Sequence, residues 1–189
     1  MTAPEDGYAG QKVLELLAMN AANYNRFLLA EVLRVVENGG TRVVDFGAGV
    51  GTFAAGLLPY GVRPMCVEPD SVQRGILEEK GFVAVPRLED IVGDVDVVFS
   101  LNVLEHIQDD AGTLAQMWAA LRPGGQLYLY VPAFQVLYSS LDRQVGHFRR
   151  YRVRALVDLT RAAGFEVRKA RYVDSMGFLA ALAFRLRDN

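Results

Sequence analysis

The stretch Arg42-Val-Val-Asp-Phe-Gly-Ala-Gly-Val-Gly-Thr52 constrains this chain more than any other. Val43 and Val44 are β-branched and apolar, which suits a buried strand. Asp45 and Phe46 end that run, and Gly47, Gly49 and Gly51 follow at alternating positions. Such a turn bends the backbone sharply and lets a ligand approach with no Cβ in the way. A helix beginning near Val50 aims its free N–H groups back at that ligand. The unit therefore reads strand, glycine turn, helix: a cradle for a nucleotide-type cofactor.

Spacing narrows the ligand. A dinucleotide fingerprint needs Gly-x-Gly-x-x-Gly, with its last glycine letting helix and strand pack closely. Here the third glycine comes one residue early, and Asp45 stands two residues before the first. A carboxylate there is poor company for a pyrophosphate, which counts against a nicotinamide-dependent oxidoreductase. It suits a cationic ligand. On this motif, of the form Asp/Glu-x-Gly-x-Gly-x-Gly, the sequence resembles the class I S-adenosylmethionine-dependent methyltransferases. The resemblance implies an α/β fold, a doubly wound, Rossmann-like and mostly parallel sheet. It implies S-adenosyl-L-methionine as cofactor and S-adenosyl-L-homocysteine as product, with Asp45, Gly47, Ala48, Gly49 and Gly51 on the cofactor. The bland alternative is a glycine-rich turn with no ligand.

Size and composition agree with one globular domain. The chain has 189 residues, 51% of them apolar and 22% charged, enough for a sizeable core. The net charge of −2 argues against a dedicated nucleic-acid binder, which shows a basic face. The lone Cys66 has no intrachain partner and lies in an apolar run, so it reads as a buried small residue in a reducing, cytoplasmic compartment. The N-terminus Met-Thr-Ala-Pro-Glu-Asp-Gly does not read as a signal peptide. No apolar run reaches about 20 residues, so none is expected to span a membrane.

Residues 1–40 read as N-terminal helices forming a cap or lid on the cofactor-binding portion, 41–189. Helical spacing runs from Tyr8 to Asn38, with Val13, Leu14, Leu16 and Leu17 in one apolar patch and Phe27, Leu28, Val32, Leu33, Val35 and Val36 in another. Between them, Asn23 to Arg26 is either a solvated helix junction or a lid over the pocket, which makes Tyr24 a candidate acceptor contact. Pro64 to Glu68 is the second strand. Glu68 follows the glycines by about 20 residues, where a doubly wound fold places a carboxylate on the ribose hydroxyls; Pro69 adjoins it. Phe82 to Val85 is a third strand. Topology then puts Leu88 against an adenine ring and Glu89 or Asp90 near its amine. Asp96 to Ser100 is a fourth, fully buried strand.

Leu101 to Ile107 resembles the Leu-Glu-His turn after the fourth strand of these enzymes. That likeness places Asn102 by the methionine end of the cofactor and His106 at the mouth of the reaction centre; otherwise His106 is an ordinary half-buried histidine. Leu114, Met117, Trp118 and Leu121 form the apolar stripe of the next helix. Arg122-Pro123-Gly124-Gly125 is expected to end it before a fifth strand, Gln126 to Val131. The segment Leu141-Asp142 to Gly146-His147-Phe148-Arg149-Arg150-Tyr151 resembles one found in a bacterial branch of the family, over the pocket. There His147 is a candidate base, and Tyr138, Arg149 and Tyr151 are candidate acceptor contacts. Paired arginines suit a carboxylate or phosphate; alternatively Asp142 pairs with Arg149 or Arg150 and staples the loop.

Val153 to Ala163 reads as a helix, and Phe165 to Val173 as a half-exposed edge strand, followed by an apolar helix from Met176 to Leu186. That makes six strands where the resembled sheet has seven. Gly177 to Phe184 is thus a candidate homodimer or membrane-surface patch, unless it packs on its own sheet. Two histidines and one cysteine, far apart in sequence, suggest no metal site. The expected activity is methyl transfer to an O, N or C nucleophile of a small or lipid-linked acceptor, with His106 or His147 as base only if the acceptor arrives protonated. The alternative is a non-catalytic scaffold or partner subunit.

Overall fold

The computed structural model describes residues 22–91 and 94–173, together with positions 178, 181, 182 and 185. Helix α1 (Ala22–Gly39) opens the described chain. Leu28, Val32 and Val36 recur every fourth residue and are all buried, so they form one stripe along the helix. That stripe packs on Val43, Val97 and Phe99 of the sheet. The contact is close enough that a Cβ on Gly39 would lie 2.4 Å from Val97 Cγ2. The segment expected as a cap therefore shares the main core from Ala22 onward. The first apolar patch, Val13 to Leu17, lies outside the described residues.

The sheet has order β3-β2-β1-β4-β5, and every pair in it is parallel. Its strands are β1 (Val43–Phe46), β2 (Met65–Val67), β3 (Ala84–Val85), β4 (Val95–Leu101) and β5 (Leu121–Tyr130). Helices α2 (Thr52–Leu57), α3 (Ser71–Glu79) and α4 (Asp110–Ala120) make the crossovers, and α5 (Ser140–Gln144) and α6 (Val153–Ala162) follow β5. Alternate residues of each strand face opposite layers. Val43 and Phe99 meet α1, whereas Val44 and Val98 meet Leu114 and Met117 of α4. The strands step outward from β1 to β3 and then return to β4 on the other side of β1. That reversal opens a crevice at the strands' C-terminal ends. The register Phe46↔Val67 and Asp45↔Phe99 brings Gly47, Glu68 and Asn102 to that one edge.

Two elements differ from expectation. The Pro-Gly-Gly segment does not separate α4 from the strand. β5 begins at Leu121, opposite Val95, and resumes at Gln126 opposite Val97, so Arg122 to Gly125 is an excursion inside the strand. Gly124, with φ +81°, makes its reversal. Asp96 anchors the same corner, accepting at 2.9 Å from the backbone N–H groups of Thr41 and Arg42 and pairing with Arg122.

The second correction is the sixth strand: Phe165 to Val173 forms none, and five strands stand among the described residues. Side chains fix this segment instead. Phe165 packs on the core, Arg171 donates to Glu31 at 2.9 Å, and the Tyr172 ring stacks on Phe134 at 4.4 Å. Alternating apolar residues report one-sided burial, not backbone pairing. Beyond it, positions 178, 181, 182 and 185 are helical, and the rest of the Gly177 to Phe184 patch lies outside the described residues. No helix among the described residues is long and apolar enough to cross a membrane.

Candidate functional site

At the crevice lies a cleft of about 700 Å³. One wall is the glycine turn. Gly47 and Ala48 donate to the Val67 carbonyl at 2.8 and 3.2 Å, which ties the turn to β2. Gly47 has φ +79°, and a Cβ there would lie 2.4 Å from Val103 Cγ2. Gly51 lets helix α3 approach, since a Cβ on it would meet Leu77 Cδ2 at 2.7 Å.

Glu68 stands at the tip of β2, and its carboxylate joins both sides of this wall. Oε2 accepts from Gly49 N–H at 2.9 Å and Oε1 from Asp70 N–H at 3.0 Å. Each oxygen retains a further lone pair toward the cleft. Pro69, Leu88 and Glu89 line the same cleft. Asp45 does not line it. It is 3% exposed beneath the turn, and its Oδ2 has no partner. Burial, with the Glu68 charge adding to it, pushes its carboxyl up to about 8, although the Ala54 amide favours the ionised form. The same burial, reinforced by Asp45 and Glu68, pushes the Cys66 thiol up to about 12, so Cys66 is an unreactive core residue.

Asp45 therefore binds more protons folded than unfolded between roughly pH 4 and pH 8, and stability falls as pH rises through that window. Asp45→Asn is expected to melt with the ligand-free wild type at pH 4 and to exceed it by about 1 kcal/mol or more at pH 8. Thermal unfolding across that range checks this. A difference independent of pH would show that the buried charge is not the cause.

The opposite wall follows β4. Asn102 takes φ +55°, a region asparagine enters more readily than most side chains. Its N–H donates to the Tyr130 carbonyl at 2.8 Å and its side-chain amide to the Tyr24 hydroxyl at 3.1 Å. Tyr24 lies edge-on to Tyr130, with ring centroids 5.8 Å apart, so α1 reaches the rim of the cleft. Burial, with Tyr130 nearby, keeps the Tyr24 phenol protonated. His106 also lines the cleft. Burial, and then the neighbouring His147, lowers it to about 4, so its ring is uncharged at neutral pH.

Beside His106 the loop after β5 closes on Asp142, which is 1% exposed. Asp142 accepts from Arg150 Nε and Nη2 at 2.7 and 2.9 Å and from Ser139 N–H at 2.9 Å. His147 Nδ1 lies 2.7 Å from it. Burial alone would raise this carboxyl; the His147, Arg150 and Ser139 hydrogen bonds overcome that and hold it below the usual range. The staple left open between two arginines is thus made by Arg150. Arg149 pairs instead with Asp110 at 2.6 Å and donates to the Gln108 carbonyl at 2.8 Å. Tyr151 is buried, its hydroxyl 2.8 Å from Asp110 Oδ2, and Tyr138 donates to the His147 carbonyl at 2.6 Å. The fold brings Tyr24, Asn102 and His106 to one rim, with His147 behind His106. It turns Tyr138, Arg149 and Tyr151 to holding the loop.

Sequence reasoning passed over Glu105. It is 0% exposed, and neither carboxylate oxygen has a hydrogen-bond partner among the described residues. Its place between Leu104 and His106 was the available signal. The expectation of no metal cluster rested on sequence distance, which the fold removes: the His106 and His147 rings lie 4.6 Å apart.

Comparison with known proteins decides the family. The family described as Methyltransferase domain matches residues 20–170. The chain belongs to that family. The chain is 31% identical over 99 residues to a ubiquinone biosynthesis O-methyltransferase of Methylocella silvestris, covering 47% of this chain and 39% of that enzyme. The match to a trans-aconitate 2-methyltransferase of Deinococcus radiodurans is also 31% over 99 residues, with 49% and 38% covered. The chain thus spans about two fifths of the length of these relatives. Among solved structures, the Haemonchus contortus phosphoethanolamine N-methyltransferase 2 in complex with S-adenosyl-L-methionine superposes with TM-score 0.62 at 18% identity, covering 88% of this chain and 42% of that one. The cyclase SpnF superposes with TM-score 0.65 at 20% identity, covering 85% and 66%. The fold is that of the class I S-adenosylmethionine-dependent methyltransferases, and S-adenosylmethionine is the family's cofactor. The cleft's chemistry fits it: the Glu68 carboxylate beside the glycine turn for hydroxyls, Leu88 for a ring, and the Asn102 amide opposite.

Proposed function

We propose that this methyltransferase moves a methyl group from S-adenosylmethionine to an O, N or C nucleophile of a small or lipid-linked acceptor. The observation that carries the reading is Glu68, held by Gly49 N–H with lone pairs left toward the cleft. In this reading Glu68 accepts from the ribose hydroxyls, Gly47 to Gly51 pass close to the cofactor, Leu88 and Pro69 cover its ring, and Asn102 meets its amino-acid end. The bound cofactor supplies a methyl group made electrophilic by its sulfonium. The protein's share is alignment, which can be worth roughly 7–11 kcal/mol. His106, uncharged and on the cleft, takes the acceptor's proton where there is one; His147 stands behind it. Tyr24 closes the acceptor side. The names of the relatives, a ubiquinone O-methyltransferase and a trans-aconitate methyltransferase, favour a lipid-linked or small acidic acceptor.

A second reading has a specific observation behind it. The same fold carries SpnF, named a cyclase, and another neighbour is a Haloferax volcanii complex with the Trm112 methyltransferase activator. A cofactor-binding protein that serves another reaction or a partner fits those likenesses. Calorimetric titration with S-adenosylmethionine, followed by an acceptor screen with methyl-labelled cofactor, separates the two. Binding in the micromolar range and label on one acceptor support methyl transfer. Binding without transfer to any acceptor class favours the second reading, and no binding at high cofactor concentration sinks both.

A further inference from the structure

We propose that Glu105, His106 and His147 form a binding site for one divalent first-row transition-metal ion. One ligand atom from each lies within 4.8 Å of the others. Donors about 2.1 Å from a shared ion stand roughly 3.4 Å apart in a tetrahedral set, so the widest pair has to close by up to about 1.4 Å, the reach of a side-chain rotation.

Three features point to an ion here rather than to a chance cluster. Glu105 is 0% exposed with both carboxylate oxygens unpartnered among the described residues, and Oε1 lies 3.9 Å from His147 Nε2. An unpaired buried carboxylate is costly, and a cation satisfies it. His147 is oriented from behind. Asp142, ionised against Arg150, can only accept, so His147 Nδ1 donates to it and Nε2 is the ring nitrogen left facing Glu105. A carboxylate behind a histidine is the outer arrangement that fixes metal-binding imidazoles. His106 stands against His147, the two imidazole rings edge to face with centroids 4.6 Å apart. Two imidazoles and one carboxylate suit manganese, iron, cobalt, nickel or zinc better than calcium or magnesium.

Because His106 also lines the cofactor cleft, an ion held by it would stand beside that cleft. If the methyl-transfer reading holds, an acceptor hydroxyl bound there loses its proton more readily, and the ion then takes over the part given to His106 as base, whose lone pair is engaged on the metal. The metal site itself does not depend on that reading.

The test uses the untagged full chain, stripped with chelator and titrated with Co²⁺, following visible absorption and calorimetric heat. One ion per chain is expected, with d–d bands of a nitrogen and oxygen site. Glu105→Gln and His147→Gln should each weaken Co²⁺ binding at least tenfold. Circular dichroism and S-adenosylmethionine binding, measured in parallel, show that each variant folds. If His147→Gln fails to fold, Glu105→Gln decides, since the amide has nearly the size and shape of the carboxyl it replaces. Less than stoichiometric uptake by the wild type, or equal uptake by the folded variants, overturns the proposal. Cofactor binding without Co²⁺ binding rejects the metal site alone; the reverse rejects the methyl-transfer reading and keeps the site.

Discussion

Gly47→Val is expected to cost about 2–5 kcal/mol of stability and at least about a hundredfold in S-adenosylmethionine affinity. Two effects act at one position. The backbone there has φ +79°, a region β-branched residues avoid. A Cβ would also lie 2.4 and 2.6 Å from the two γ-methyls of Val103, and Val103 cannot retreat without moving Asn102 on the facing wall. Gly49→Val gives the contrast. Its nearest obstacle is the end of the flexible Gln73 side chain, 3.3 Å away, so its stability loss should be smaller. Its binding loss should remain, because valine avoids the φ of +55° found there, and the turn it displaces carries the N–H that holds Glu68. Calorimetry and denaturant melts on both variants check the pair. Cofactor binding by Gly47→Val at wild-type strength would mean that the turn is not the cradle wall.

What could be read from the chain beforehand was local chemistry. The run Val43 to Gly51 and the acid at Glu68 announced themselves because strand, turn and carboxylate are each set by adjacent residues. The cofactor cleft needed only the topological rule that places strand ends at one edge. Three things were not legible, each for a different reason. Phe165 to Val173 alternates as a strand does, but alternation records which side is buried, and ion pairs and stacking hold it without a ladder. Arg122 to Gly125 carries helix-stop residues, yet the strand's pairing begins before them and continues after. The Glu105, His106 and Asp142 grouping depends on a loop returning from β5, and no spacing along the chain encodes which arginine that loop will offer. Arg149 and Arg150 are adjacent and chemically identical; only their directions in the fold distinguish the staple from the Asp110 partner.

Asp142→Ala should cost about 3–5 kcal/mol, the scale for removing one partner of a buried ion pair. The loss exceeds the pair's own worth because the Arg150 guanidinium, 14% exposed, is left desolvated without a counter-charge, and the Ser139 N–H loses its acceptor. Arg149→Ala, at a pair whose side chains are 29% and 13% exposed, should cost less, about 1–2 kcal/mol. The pH dependence has a definite sign. Asp142 is held below the usual carboxylate range, so its contribution is fully present above the unfolded value near 4 and is lost as pH falls through the lower folded value. The wild type should therefore lose its advantage over Asp142→Ala progressively as pH falls below about 4. Denaturant unfolding at pH 7 and pH 3, with hydrogen exchange at residues 139–151, measures both. If Asp142→Ala stays within about 0.5 kcal/mol of the wild type, backbone bonds such as Phe148 N–H to the Glu105 carbonyl hold the loop. His147 would then lose its orienting carboxylate without losing its place, and the presentation of Nε2 toward Glu105 would need another cause.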